Sequence, residues 1–76
     1  MEKHIARTNL KTARKNAGLT QSSIAKHLGI DLRYYKKIES GAALGGIWLW
    51  DGLEDLLGVN QRDLREIHPD TEDSLS

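Results

Sequence analysis

The sequence predicts an all-α domain of five short helices. Three observations predict it. Apolar residues recur at helical spacing, glycines close most of the periodic stretches, and small polar residues stand where helices would begin. A single proline, Pro69, occurs, and no segment alternates for long with period two.

The first helix is expected from Ile5 or Thr8 to Asn16. Ala6, Leu10, Ala13 and Ala17 then share one face, and Gly18 supplies the left-handed residue that ends it. Thr20 is a good cap for a second helix from Gln21 to His27 or Leu28. Leu19 before the cap and Ile24 inside can form a hydrophobic staple, and Gly29 stops the helix. Asp31 caps a third helix, Leu32 to Glu39, Ile30 and Tyr35 repeat the staple spacing, and Gly41 ends it. Two short capped helices joined by a glycine-containing turn are the composition cue for a helix-turn-helix. Residues 42–46 read as a loop. A fourth helix follows, about Ile47 to Leu57, with Leu49, Trp50, Leu53, Leu56 and Leu57 as its apolar stripe. Gly52 falls at an expected exposed position in it, at a cost of about 1 kcal/mol against Ala. Gly58 ends that helix, Asn60 caps a last one from Gln61 to Ile67, and His68-Pro69 stops the fold. The expected organisation is an arm and start of the first helix over 1–7, one domain over 8–67, and an acidic, disordered tail over 68–76.

A chain of 76 residues suits one domain. A domain of this size buries only about 60% of its unfolded surface, so its stability is marginal. No cysteine is present to staple it, which is compatible with a reducing compartment. No apolar run approaches the roughly 20 residues of a membrane span, and Met1-Glu2-Lys3-His4 leads into no signal-peptide core. A soluble, cytoplasmic protein is the expectation.

The formal net charge is zero, but the charge is segregated. Residues 1–40 carry nine cations against three acids, and residues 41–76 carry two against eight. Such a chain can turn a basic face to a polyanion and an acidic face to solvent. His4, His27 and His68 are far apart and share no spacing with acids, so neither a metal site nor a cofactor is expected. No glycine-rich phosphate loop and no Ser/His/Asp set is present, and catalysis is not expected.

Several spaced features agree in register: Leu10 to Arg14, Gly18-Leu-Thr-Gln21, Ile24-Ala25 with Leu28-Gly29-Ile30, Tyr35 to Gly41, Leu57-Gly58-Val59, and Leu64. Over residues 8–66 the chain resembles the Cro/repressor-type helix-turn-helix family of phage and prophage regulators. The resemblance implies a compact five-helix, lambda-repressor-like domain whose third helix lies in the DNA major groove. Two departures stand out. The loop after the third helix lacks the basic residues and proline often found there, which should flatten the salt dependence of binding. The second helix carries Ser23 where a capping box would place an acid, so a full box is not expected.

The resemblance implies roles for individual residues. Leu32, Arg33, Tyr34 and Lys37 would contact bases, with Arg33 or Lys37 donating to guanine and Leu32 touching a thymine methyl. Gln21 would grip a phosphate at the start of the second helix, with Ser22, Lys26, Lys36 and Ser40 as weaker phosphate contacts. Arg14 and Glu39 would form an ion pair beneath the motif. Trp48, Val59 and Leu64 are candidates for a homodimer interface, since Trp48 falls off the apolar stripe of its helix. The alternative reading of the charged residues of the third helix is a solubilising, solvated face. The expected function is sequence-specific binding of double-stranded DNA as a transcriptional regulator, a repressor acting by operator occupancy. The partners implied are DNA and a second copy, with no membrane and no small-molecule ligand. The alternative is a protein-interaction module, antitoxin-like or a regulatory subunit, that docks a partner through its acidic C-terminal half.

Overall fold

The structure, a computed structural model, describes residues 5–69. In chain order the elements are β1 (Ile5–Ala6), α1 (Thr8–Asn16), α2 (Gln21–Leu28), α3 (Leu32–Ser40), α4 (Ile47–Leu57), α5 (Gln61–Arg65) and β2 (His68–Pro69). The two short strands pair antiparallel, Ile5 opposite Pro69 and Ala6 opposite His68. Ile5 is therefore not the start of the first helix, and His68-Pro69 does more than stop the chain. A two-residue strand has no periodicity to read, and its partner lies at the other end of the sequence. Pro69 is tolerated because an edge strand does not need every N–H. The expectation of a disordered tail, from residue 70 on, and His4 lie outside the described residues. Among the described residues, no helix is long and apolar enough to cross a membrane.

Local chemistry sets the helix ends. Thr20 Oγ1 accepts from the Ser23 amide at 3.0 Å, and Ser23 Oγ accepts from the Thr20 amide at 3.0 Å. This is a complete capping box, contrary to the sequence expectation. A serine hydroxyl at the third helical position reaches back as a glutamate would. Asp31 occupies the N-cap position of α3, but its side chain accepts no capping hydrogen bond. Gly29, at φ +72°, makes the left-handed turn between α2 and α3. Asn60 accepts from the Arg62 amide at 2.8 Å to open α5. That helix stops at Arg65 rather than Ile67, because Glu66 turns extended toward β2.

Leu10, Ile24, Tyr35, Ile38, Leu49, Leu53 and Leu64 are fully buried, with Ala25 and Trp50 beside them. Burying one such large apolar side chain contributes about 1.5–3 kcal/mol. The core draws on every helix, with α1 against α5 and α3, α2 against α3, and α4 against α5. Gly52 is not exposed as expected. A Cβ there would lie 2.8 Å from Leu28 Cδ2, so a side chain at this position would have to displace the end of that leucine. At Gly45 the constraint is double: φ is +74°, and a Cβ would meet Leu49 Cδ2 at 2.6 Å.

Candidate nucleic-acid interface

The helix-turn-helix is α2, the Gly29 turn and α3. Tyr35, Ile38 and Glu39 point into the protein, and Arg33, Lys36 and Lys37 point out from α3. Lys26 and Ser22 are exposed on α2. Among the described residues, no carboxylate pairs with Lys26, Arg33, Lys36 or Lys37. Their charges are free to meet an anion. Leu32 and Tyr34 are half-buried and pack against the core, so each offers only part of its surface outward. Ser40 is exposed, and its hydroxyl donates to the Lys37 carbonyl at 3.1 Å.

Beneath this surface lies a four-donor cluster. Arg14 donates to Glu39 through Nε at 2.8 Å and Nη2 at 3.2 Å. Tyr35 OH donates to Glu39 Oε2 at 2.7 Å, and Gln21 Nε2 donates to Glu39 Oε1 at 3.1 Å. Arg14 Nη1 also donates to the Leu19 carbonyl at 3.0 Å. One carboxylate thus ties α1, α2 and α3 together. A carboxylate offers about four lone-pair sites, and four donors occupy them here. The hydrogen bond to Glu39 raises the Arg14 guanidinium above its ordinary pKa. Burial, then the Glu39 carboxylate, push the Tyr35 phenol well above its ordinary value. Gln21 therefore sits at the start of α2 with its amide already engaged from below.

Arg7 has no signal in the sequence beyond its charge, yet it is 2% exposed. Its guanidinium donates to the carbonyls of Arg65 at 3.1 Å and Ala43 at 2.8 Å, and to that of Ile38. Its backbone amide donates to the Glu39 carbonyl at 2.8 Å. Burial lowers its pKa. Arg7 fastens the loop after α3 and the end of α5 to the back of the motif.

The residues suggested for a dimer contact separate. Leu64 is fully buried and has no surface to offer a second chain. It sits on the inner face of a one-turn helix, where burial wins over contact. Val59 is half-buried and lines a cleft with Asn9, Thr12, Ala13, Asn16 and Asp63. Trp48 is exposed, and its indole lies over Gly46, where a Cβ would meet Cδ1 and Nε1 at 3.3 Å. The larger exposed apolar residues are Leu44 and Ile47, at 80% and 79%, with Ile5 and Ile67 less so. Leu44, Ile47 and Ile67 border one open cleft of about 500 Å³, with Arg62, Arg65 and Glu66 around it. Sequence reasoning missed Leu44 and Ile47 because one was read as loop and the other as an ordinary helix start.

A family model described as a helix-turn-helix domain matches residues 7–67. The chain belongs to the helix-turn-helix domain family. No curated protein and no solved structure gives a match. The match covers all five helices of this helix-turn-helix domain and ends at Ile67, immediately before β2. Membership in this family points to DNA as the partner.

Proposed function

We propose that this helix-turn-helix domain is a cytoplasmic transcriptional regulator of the Cro/repressor type, binding duplex DNA sequence-specifically and repressing by occupying an operator. The observation that carries the reading is the outward row Arg33, Lys36 and Lys37 on α3, unpaired with any described carboxylate, on a helix clamped from behind by Tyr35, Ile38 and Glu39. A groove about 12 Å wide admits such a helix as one rigid unit. Arg33 and Lys37 supply base contacts, with Leu32 and Tyr34 adding what apolar surface they leave exposed. Gln21, Ser22, Lys26, Lys36 and Ser40 supply the phosphate contacts that set register. Because the loop after α3 has no cation, the salt dependence is shallower than such a fold allows. Gel shifts against a library of randomised duplexes, repeated across salt, test the reading. Selection of one sequence family supports it, and uniform binding of all sequences removes the operator.

A single small module makes few base contacts, so two copies on a palindrome are the economical arrangement. We place the second copy on the exposed patch of Leu44, Ile47 and Ile67, with Trp48 at its margin. Arg62, Arg65 and Glu66 surround this patch, and a rim carrying both charge signs suits contact with its own copy. The same exposed apolar residues would serve a different protein partner if no second copy binds.

A further inference from the structure

We infer that Glu39 is a positioning residue for DNA binding: its buried carboxylate holds the Gln21 side chain ready to meet a backbone phosphate. The inference rests on the DNA-binding reading and deepens it.

Glu39 is 3% exposed and lies at the far end of α3 from the turn, so it cannot itself touch DNA. Gln21 opens α2, where Thr20 caps the Ser23 amide, the Gln21 and Ser22 amides precede the first helical hydrogen bond, and the helix dipole favours an anion. An unrestrained glutamine would give up rotamer freedom on gripping a phosphate, a cost that falls on affinity. Here that freedom is already restricted, because Gln21 Nε2 donates to Glu39 Oε1 at 3.1 Å. A carboxamide has two N–H donors. One is used inward, and the other remains for the phosphate. The remaining contacts of Glu39 explain why it can hold this position. Arg14 neutralises it through two bonds, and Tyr35 takes a further lone pair. The charge of Glu39 is thus compensated before a polyanion approaches, and the Gln21 amide stands between them. The cluster links the phosphate-gripping helix end to the groove-reading helix through one carboxylate. An ion pair needed only for stability would require Arg14 and not Gln21.

The test is a double-mutant cycle on binding to a random-sequence duplex, since phosphate contact does not depend on sequence. The first change is Gln21→Ala. The second replaces the cluster by apolar groups, Arg14→Met, Tyr35→Phe and Glu39→Met together, which leaves no buried charge unpaired. In the parent, Gln21→Ala weakens binding about tenfold, the loss of one charge-assisted hydrogen bond. In the apolar background the same change weakens it less than about threefold, because the glutamine is no longer pre-ordered. Equal losses in both backgrounds, with both folded by circular dichroism, overturn the positioning role and leave the DNA reading standing. A parent that binds no duplex sinks the DNA reading itself. Should the apolar variant not fold, the Gln21 side-chain amide resonances of the parent decide. One Nε2 proton shifted by its bond to the carboxylate and protected from exchange with water, with the other shifting when duplex is added, supports the inference. Two protons at the positions and exchange rates of an exposed glutamine overturn it.

Discussion

The guanidinium of Arg7 lies 5.0 Å from the centre of the Trp50 ring. A cation over an indole face is stabilised by the ring's quadrupole, more so when water is excluded. No described carboxylate pairs with Arg7, and backbone carbonyls from α3, the following loop and α5 accept its hydrogen bonds instead. This contact holds the loop that carries Leu44 against the core, since Trp50 Nε1 also donates to the Leu44 carbonyl at 2.9 Å.

Arg7→Met should therefore destabilise the domain by about 2–4 kcal/mol, because it leaves buried carbonyls short of donors. Arg7→Lys should rescue only part of the loss, since one ammonium cannot replace a planar fork of donors. Urea denaturation checks both variants. A midpoint unchanged in the methionine variant would show that water takes over the three carbonyls.

Removing either partner of the Arg14–Glu39 pair should cost about 3–5 kcal/mol, because the side chains are 13% and 4% exposed and the survivor stays buried. Replacing both with methionine should cost much less. Thermal melts of the two single variants and the double variant make the comparison. Equal losses in all three would mean that the pair is solvated.

Stability should fall at high pH, and Tyr35 gives the sign. Its folded-state pKa is raised, so its contribution is full below the unfolded value of about 10 and is lost as pH climbs beyond it. Tyr35→Phe should flatten the alkaline limb of a stability profile, at the expense of one hydrogen bond to Glu39. An alkaline limb of unchanged steepness in the phenylalanine variant would assign the loss to other groups.

On DNA, Arg33→Ala should cost about 1–3 kcal/mol and relax preference at one base pair. Lys26→Ala should weaken all sequences alike and reduce the salt slope by about 1. Competition gel shifts separate the two behaviours. If Arg33→Ala keeps the parent's preference at every position, α3 does not read bases through that side chain.

For the second copy, Leu44→Ser with Ile47→Asp should leave the fold intact, since both side chains are largely in solvent. The pair should weaken binding to a palindromic duplex far more than to a single half-site. Sedimentation with and without the palindrome gives the stoichiometry. One chain per palindrome at saturation in the parent would remove the dimer, and an unaltered curve in the variant would clear this patch.

What the sequence alone determined is local. Thr20, Gly29 and Gly41 act within a few residues of themselves, and they mark the borders of α2 and α3. The apolar positions of α4, Leu49, Trp50 and Leu53, recur at helical spacing and are buried together. Local rules also misled where their residue vocabulary was too narrow, as with Ser23 completing the capping box. What only the tertiary structure decided joins residues that share no local signal. Arg7 reaches carbonyls 31, 36 and 58 positions away. Gly52 stands against the side chain of Leu28 from another helix. Gln21 meets Glu39 18 positions on, although each residue taken singly reads as an ordinary polar residue. Leu64 and Ile47 are both apolar, and packing alone sends one into the core and the other into solvent. Caps and periodicity are carried by neighbours along the chain. Hydrogen-bond partners and burial are set by which surfaces the packed helices bring together.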